Sequence, residues 1–152
     1  METTRRAQLV MDVLRHAAAA DHDEAMRLMG EIAQASDGNQ MYGVCCGLAE
    51  AGRQALVRMY GHPSREGLWA LTAPDPADGL RHPAHTFALR FITAFINGDL
   101  PTCQALYMTA ARASAEDYAH SVTAIVGYVA RLAQIALEEP AADVETAAAH
   151  PH

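Results

Sequence analysis

Cys45 and Cys46 stand side by side, and a third thiol, Cys103, lies far along the chain. Adjacent thiols suggest disulfide or metal chemistry. On a helix, however, neighbouring side chains point about 100° apart, so this pair neither bonds to itself nor clasps one metal without distortion. The spacing instead predicts two small packing thiols, Cys45 at the edge of an apolar face and Cys46 beside Tyr42, Glu50 and Arg53. Odd in number and set in apolar, helix-like surroundings, the cysteines are expected to be reduced.

Eight histidines, His16, His22, His62, His82, His85, His120, His150 and His152, offer possible metal ligands. None forms the i, i+4 helical pair of a zinc enzyme, and none accompanies a Cys-x-x-Cys. His82 and His85 are the closest local pair, and surface or capping roles account for the pattern. No metal and no cofactor is expected. Asp21, Asp99 and Asp117 lie where carboxylates stabilise the free N–H groups and dipole of a helix start. Asp12, Glu31 and Glu50 are left as polar-face acids. Ser121 and Thr123 are one and three residues from His120, which is not the geometry of a nucleophile–base pair. Gly43, Gly47 and Gly52 follow no strand and are interrupted by Cys and Leu, so they form no phosphate loop.

These residues sit on helices, because apolar positions recur every three or four residues and strand alternation is absent. The fold class is all-α. A first helix, about 4–20, lines up Leu9, Val10, Val13 and Ala17. Asp21 with Glu24 predicts a capping box for a second, about 22–35, whose buried face is Ala25, Leu28, Met29 and Ile32. A turn at Ser36-Asp37-Gly38-Asn39 precedes a long helix, about 39–60, with Met41, Val44, Leu48, Ala51, Ala55 and Met59 on one face and Gly61 as its left-handed stop. Glycines inside that helix are unfavourable by about 1 kcal/mol each relative to alanine, and close helix approach is the expected compensation.

The same plan recurs at a gapless offset of 78 residues, which matches Asp21 with Asp99, Leu28 with Leu106, Ser36 with Ser114, Val44 with Val122 and Arg53 with Arg131. Leu9, Val13, Leu14 and Ala17 fall on Phe87, Phe91, Ile92 and Phe95. A helix at 84–97 is thus followed by one from Asp99 to about Ala113, with Pro101 in its first turn, and one at about 115–138. The last buries Tyr118, Val122, Ile125, Val129, Leu132 and Ala136, and opposes them with His120, Thr123, Gly127, Arg131 and Gln134. The segment from Phe87 to Ile96 is apolar nearly all round, broken by Arg90 and Thr93, as in the centre of a fold or half of an interface.

The expectation is one all-α domain over 1–139: six helices from two tandem three-helix units (about 4–60 and 84–138) related by a pseudo-twofold. The connector, 61–83, holds Pro63, Pro74, Pro76 and Pro83, and Trp69 is expected to pin it. The Ala-, acid- and His-rich tail, 140–152, is expected to be disordered. At this length a chain buries roughly 70 % of its unfolded surface without a staple. The start, METTRRAQLV, lacks a signal-peptide core and no uninterrupted apolar run reaches membrane-span length, so a cytoplasmic protein without membrane contact is expected.

Net charge is −7, with eight carboxylates against six arginines over residues 1–60 and ten against five over the rest. Lysine is absent, a bias of a GC-rich bacterial genome rather than of a function. Without a basic stripe, direct nucleic-acid binding is disfavoured. Arg112 and Arg131 are too few for a helix-turn-helix reader, and the 34-residue period and markers of tetratricopeptide repeats are missing. The function expected is a non-enzymatic interaction or regulatory protein that meets a protein partner or a second copy through Glu50, Arg53, His120, Thr123 and Arg131, or through exposed parts of the Phe87–Ile96 helix. One alternative is a small-molecule or hydrolytic site between the two units, lined by Tyr42, Cys46, Tyr107, Tyr128 and His120. Another is an acidic surface that blocks a partner's nucleic-acid groove, clustering Asp75, Asp78, Glu138 and Glu139.

Overall fold

The computed structural model describes residues 1–61 and 82–138, which form six helices and, among the described residues, no strand. These are α1 (Thr3–Ala18), α2 (His22–Gln34), α3 (Gly38–Tyr60), α4 (Pro83–Ile96), α5 (Leu100–Ala111) and α6 (Ala115–Glu138). Trp69, the connector beyond Gly61, the tail, Asp75, Asp78, Glu139, His62, His150 and His152 lie outside the described residues.

Short turns join the helices of each half, and their hydrogen bonds explain where the helices stop. After α1, Ala20 adopts φ 63, and the N–H groups of Ala20 and Asp21 donate to Ala17 and His16. After α4, Gly98 adopts φ 76, and the N–H groups of Gly98 and Asp99 donate to Phe95 and Ala94. Each is a left-handed C-terminal motif whose last residue, an aspartate, also starts the next helix. Asp21 Oδ1 accepts from Glu24 N at 3.5 Å, and Asp99 Oδ1 from Thr102 N at 3.2 Å.

The Asp21 cap is only half of the expected box. Glu24 turns outward to Arg27, with Nε and Nη2 donating at 3.0 and 2.6 Å, because a bidentate guanidinium outcompetes one peptide N–H. The complete box is at α3, where Asp37 Oδ1 accepts from Gln40 N and Gln40 Oε1 accepts from Asp37 N, both at 2.8 Å. Ser114 Oγ accepts from Asp117 N at 3.1 Å and caps α6, with Asp117 in the first turn of that helix. Gly61, at φ 76, ends α3.

α3 and α6 form the centre. Tyr107 bridges their N-terminal ends, donating to Gly38 O, while Leu56, Leu132 and Ala136 pack together toward their C-terminal ends. The two helices therefore run side by side in one direction. Gly52 permits their contact, since a Cβ there would lie 3.4 Å from Val129 Cγ2 and 3.6 Å from Leu132 Cδ1. Close approach accounts for this glycine alone: a Cβ at Gly43 or Gly47 would meet nothing within 4 Å.

α1 packs chiefly on α2 and α6, and touches α3 less. α4 covers α6 and part of α3, with α5 outside it. Leu9, Val13, Ile32, Leu48, Phe91, Ile92, Ile125 and Val129 are almost fully buried. Phe91 is central, whereas Phe87 and Phe95 are half-buried and Arg90 points to solvent, which spares it an acidic partner. α6 is long and apolar enough to cross a membrane by length and composition, but here its Val122, Ile125, Val126 and Val129 are buried in the core.

Candidate functional site

Three places collect side chains that chemistry can use. The first is a tyrosine–thiol cluster where the N-terminal ends of α3 and α6 meet α5. Tyr107, buried on α5, donates its hydroxyl proton to Gly38 O at 3.0 Å. A phenol has one proton, so the 2.8 Å contact between Tyr107 and Tyr118 has Tyr118 as donor. Tyr42 packs in edge-to-face contact with both Phe91 and Tyr107, with centroids 6.3 and 5.4 Å apart. Burial raises the pKa of all three phenols. The neutral phenol is the form these contacts favour.

The thiols follow the same rule. Burial pushes Cys45 up to about 12 and Cys103 to about 11. Cys46, half-buried, is also raised by desolvation, opposed by a hydrogen bond from Tyr42. A nucleophilic cysteine needs the opposite shift, because the thiolate is the reactive form. Tyr42, Cys46 and Tyr107 thus come together, but as a packed polar seam. Tyr128 is half-buried farther along α6, and His120 is exposed. No group of three or more His, Cys, Asp or Glu among the described residues is placed to hold a metal.

The second place is the polar surface of α3 and α6. Arg53 Nε donates to Glu50 Oε2 at 2.8 Å and its Nη2 to Oε1, and this hydrogen-bonded guanidinium lowers the Glu50 pKa. Gln54 adds a longer bond. His120, Thr123 and Arg131 are exposed on α6, and Thr123 Oγ1 lies 3.7 Å from Met26 Sδ on α2. The expected interaction residues therefore form one local ion pair on α3 and a separate exposed row on α6.

The third place is a cleft between α1 and α3, of about 400 Å³. Thr3, Arg6, Ala7, Val10 and Met11 of α1 face Gln40, Gly43, Val44 and Gly47 of α3. None of the sequence-predicted site residues lines it. It opens because Gly43 and Gly47 bare the α3 backbone for one turn, while α1 leans toward α2 and α6. A volume in the range of roughly 300–1,000 Å³ suits a small molecule.

Polarity is divided along the cleft. Arg6 and Gln40 belong to its end near the two helix starts, whereas Val10, Met11, Val44 and Gly47 lie farther along. Met11 is 57 % exposed. Arg6 is only 7 % exposed. Its Nε donates to Ser36 Oγ at 2.9 Å, and its Nη2 donates to Met1 O at 3.2 Å and Ala35 O at 3.4 Å. Ser36 can accept because its own proton is held by Ile32 O at 2.6 Å. No carboxylate among the described residues forms an ion pair with Arg6, and its Nη1 donates to no group there.

Arg6 was hidden in the sequence because nothing in its spacing sets it apart from its neighbour Arg5. Gly43 and Gly47 did carry a signal: two helix-weakening residues one turn apart mark either close packing or a bared backbone. No family model, no curated protein and no solved structure matches the chain.

Proposed function

We propose that this chain is a non-enzymatic interaction or regulatory protein that works by holding a ligand in the α1–α3 cleft. The observation that carries this is the open, largely apolar cleft, with the largely buried Arg6 among its lining residues. The buried phenols and thiols, each favoured in its protonated form, support binding over bond-making. All three cysteines are free thiols, which fits a cytoplasmic protein.

We further infer that the domain is a duplicated three-helix unit. Supporting this, the Asp21 and Asp99 turns repeat at the offset of 78 residues bond for bond. The contact of Ala18 with Gln134 falls on the position pair Ile96 and Leu56, which pack in the same satellite cluster. At the cleft the halves differ: Gln40, Gly43 and Gly47 fall in register with Tyr118, Ser121 and Ile125, so larger side chains fill in the second half what is open in the first.

A second reading, docking of a protein partner or second copy, is favoured by α5. That helix carries no Asp, Glu, Arg or His and exposes Leu100 at 48 % and Met108 at 47 %, where α2 in the same register carries Asp23, Glu24, Arg27 and Glu31. An uncharged helix surface with two exposed large apolar side chains is the kind of face a partner could cover.

The test is a native mass spectrum of the untagged protein from its own host, beside Gly47→Leu, which should keep its fold because a Cβ at Gly47 meets nothing within 4 Å. A small-molecule adduct on the wild type that disappears in the variant supports the cleft. An adduct retained equally by both, or none on either, overturns it; a dimer lost on Leu100→Glu instead supports the α5 reading.

A further inference from the structure

We propose that the ligand of the α1–α3 cleft is an apolar molecule bearing a single carboxylate, which Arg6 receives while the hydrocarbon lies over Gly43 and Gly47. The inference rests on the cleft being the binding site, and adds the chemistry of what it binds.

Arg6 carries its guanidinium on a side chain that is only 7 % exposed, and Nη1, which donates to no group among the described residues, stays open to solvent. Buried charges are ordinarily paired, and one left without a counter-ion is costly. Arg6 has hydrogen bonds to a hydroxyl and two carbonyls, which hold it in place without neutralising it. Asp37, the acid beside Ser36 in sequence, is occupied as the α3 cap. A ligand anion would complete the site.

The rest of the cleft narrows the anion. Arg6 is its one basic side chain, in a chain of net charge −7, so a monoanion matches it and a dianion would be left partly uncompensated. A carboxylate suits the planar fork of a guanidinium. Gln40 helps: its Oε1 is engaged by Asp37 N, which leaves the amide Nε2 to donate. The polar end also lies beside the N-terminal ends of α1 and α3, where the helix dipoles favour negative charge. Farther along, Ala7, Val10, Met11 and Val44 offer only hydrocarbon and thioether surface, and the two glycines give the room.

The positions 78 residues further along the chain offer a comparison. Arg6, Val10 and Gly47 fall in register with Ala84, Ala88 and Ile125, and Ala88 and Ile125 are buried in the core. Charge and space disappear together there, as expected if both serve one ligand.

Titration calorimetry with octanoate and the neutral octan-1-ol tests the proposal on the full chain, Arg6→Gln and Gly47→Leu, each checked for native helicity. Octanoate should bind wild type 1:1 and tighter than octan-1-ol by about 10- to 100-fold, the worth of a charge-assisted hydrogen bond. Arg6→Gln should bring octanoate to the alcohol's level, and Gly47→Leu should remove both. Equal binding of acid and alcohol to wild type overturns the carboxylate and leaves the cleft standing. Octanoate binding untouched by Gly47→Leu overturns the cleft itself, and failure of wild type to bind octanoate overturns the ligand class. Should Arg6→Gln not fold, the acid–alcohol comparison on wild type and the Gly47→Leu result decide the matter.

Discussion

Gly43 and Gly47 should be expensive to the fold and valuable to the cleft, and replacing both by alanine separates these effects. A glycine inside a helix is about 0.8–1 kcal/mol less favourable than alanine, through its greater unfolded-state entropy. A methyl group at either position meets no atom within 4 Å, so no clash offsets that gain. The double variant Gly43→Ala, Gly47→Ala should therefore be about 2 kcal/mol more stable, which for a chain of this size raises Tm by about 4–8 °C. Gly52→Ala is the internal control. Its methyl would lie 3.4 Å from Val129 Cγ2, so the propensity gain is met by crowding at the α3–α6 crossing, and a near-neutral result is expected. Thermal and urea unfolding followed by far-UV circular dichroism would measure both variants against the wild type. The same double variant should bind octanoate more weakly, because two methyl groups stand where the hydrocarbon would lie. Destabilisation by the alanines would refute the reasoning, since it would mean that the bared turn of α3 packs against something after all.

Three further outcomes follow from the geometry. Ala20 occupies the left-handed region at φ 63, where Gly98 stands at φ 76 in the other half, so Ala20→Gly should raise stability by about 1 kcal/mol in urea unfolding. Tyr107→Phe removes a donor to Gly38 O and an acceptor for Tyr118, and should lower stability by about 1–3 kcal/mol in the same assay. Cys45 and Cys103 have folded pKa values raised from the ordinary 9.0 to about 12 and about 11. In alkali the unfolded chain loses these protons first, so their contribution is full below pH 9 and disappears as pH climbs toward 11–12. Stability measured against pH should fall across that window, and less steeply in Cys45→Ala if that variant folds.

Much of the fold was legible because burial imposes helical spacing on the sequence. Leu9, Val13, Leu28, Ile32, Leu48 and Val122 fall inside as the three-and-four pattern requires. Helix boundaries were less legible where two local interactions compete, as at Glu24, whose carboxylate could serve either the backbone or Arg27. The Asp37–Gln40 box escaped notice because its glutamine follows a turn already explained by Gly38. The cleft could not be read at all from composition. It depends on how far α1 stands from α3, which is set by the packing of α1 on α2 and α6, and on a guanidinium folding inward to Ser36 across 30 residues. The contacts of Tyr42 with Tyr107 and of Tyr107 with Tyr118 join α3, α5 and α6, and helical periodicity, which orders residues within one helix, does not specify such contacts between helices.

The most direct measurement is an NMR titration of the ¹⁵N-labelled protein with octanoate, read residue by residue. Saturable shifts are expected at the amides of Ala7, Val10, Met11, Gly43, Val44 and Gly47 and at the Arg6 side chain, with little change at Tyr107, Tyr128 or His120. Shifts centred on the tyrosine seam or on the His120–Arg131 row, with the cleft unmoved, would contradict binding in the cleft.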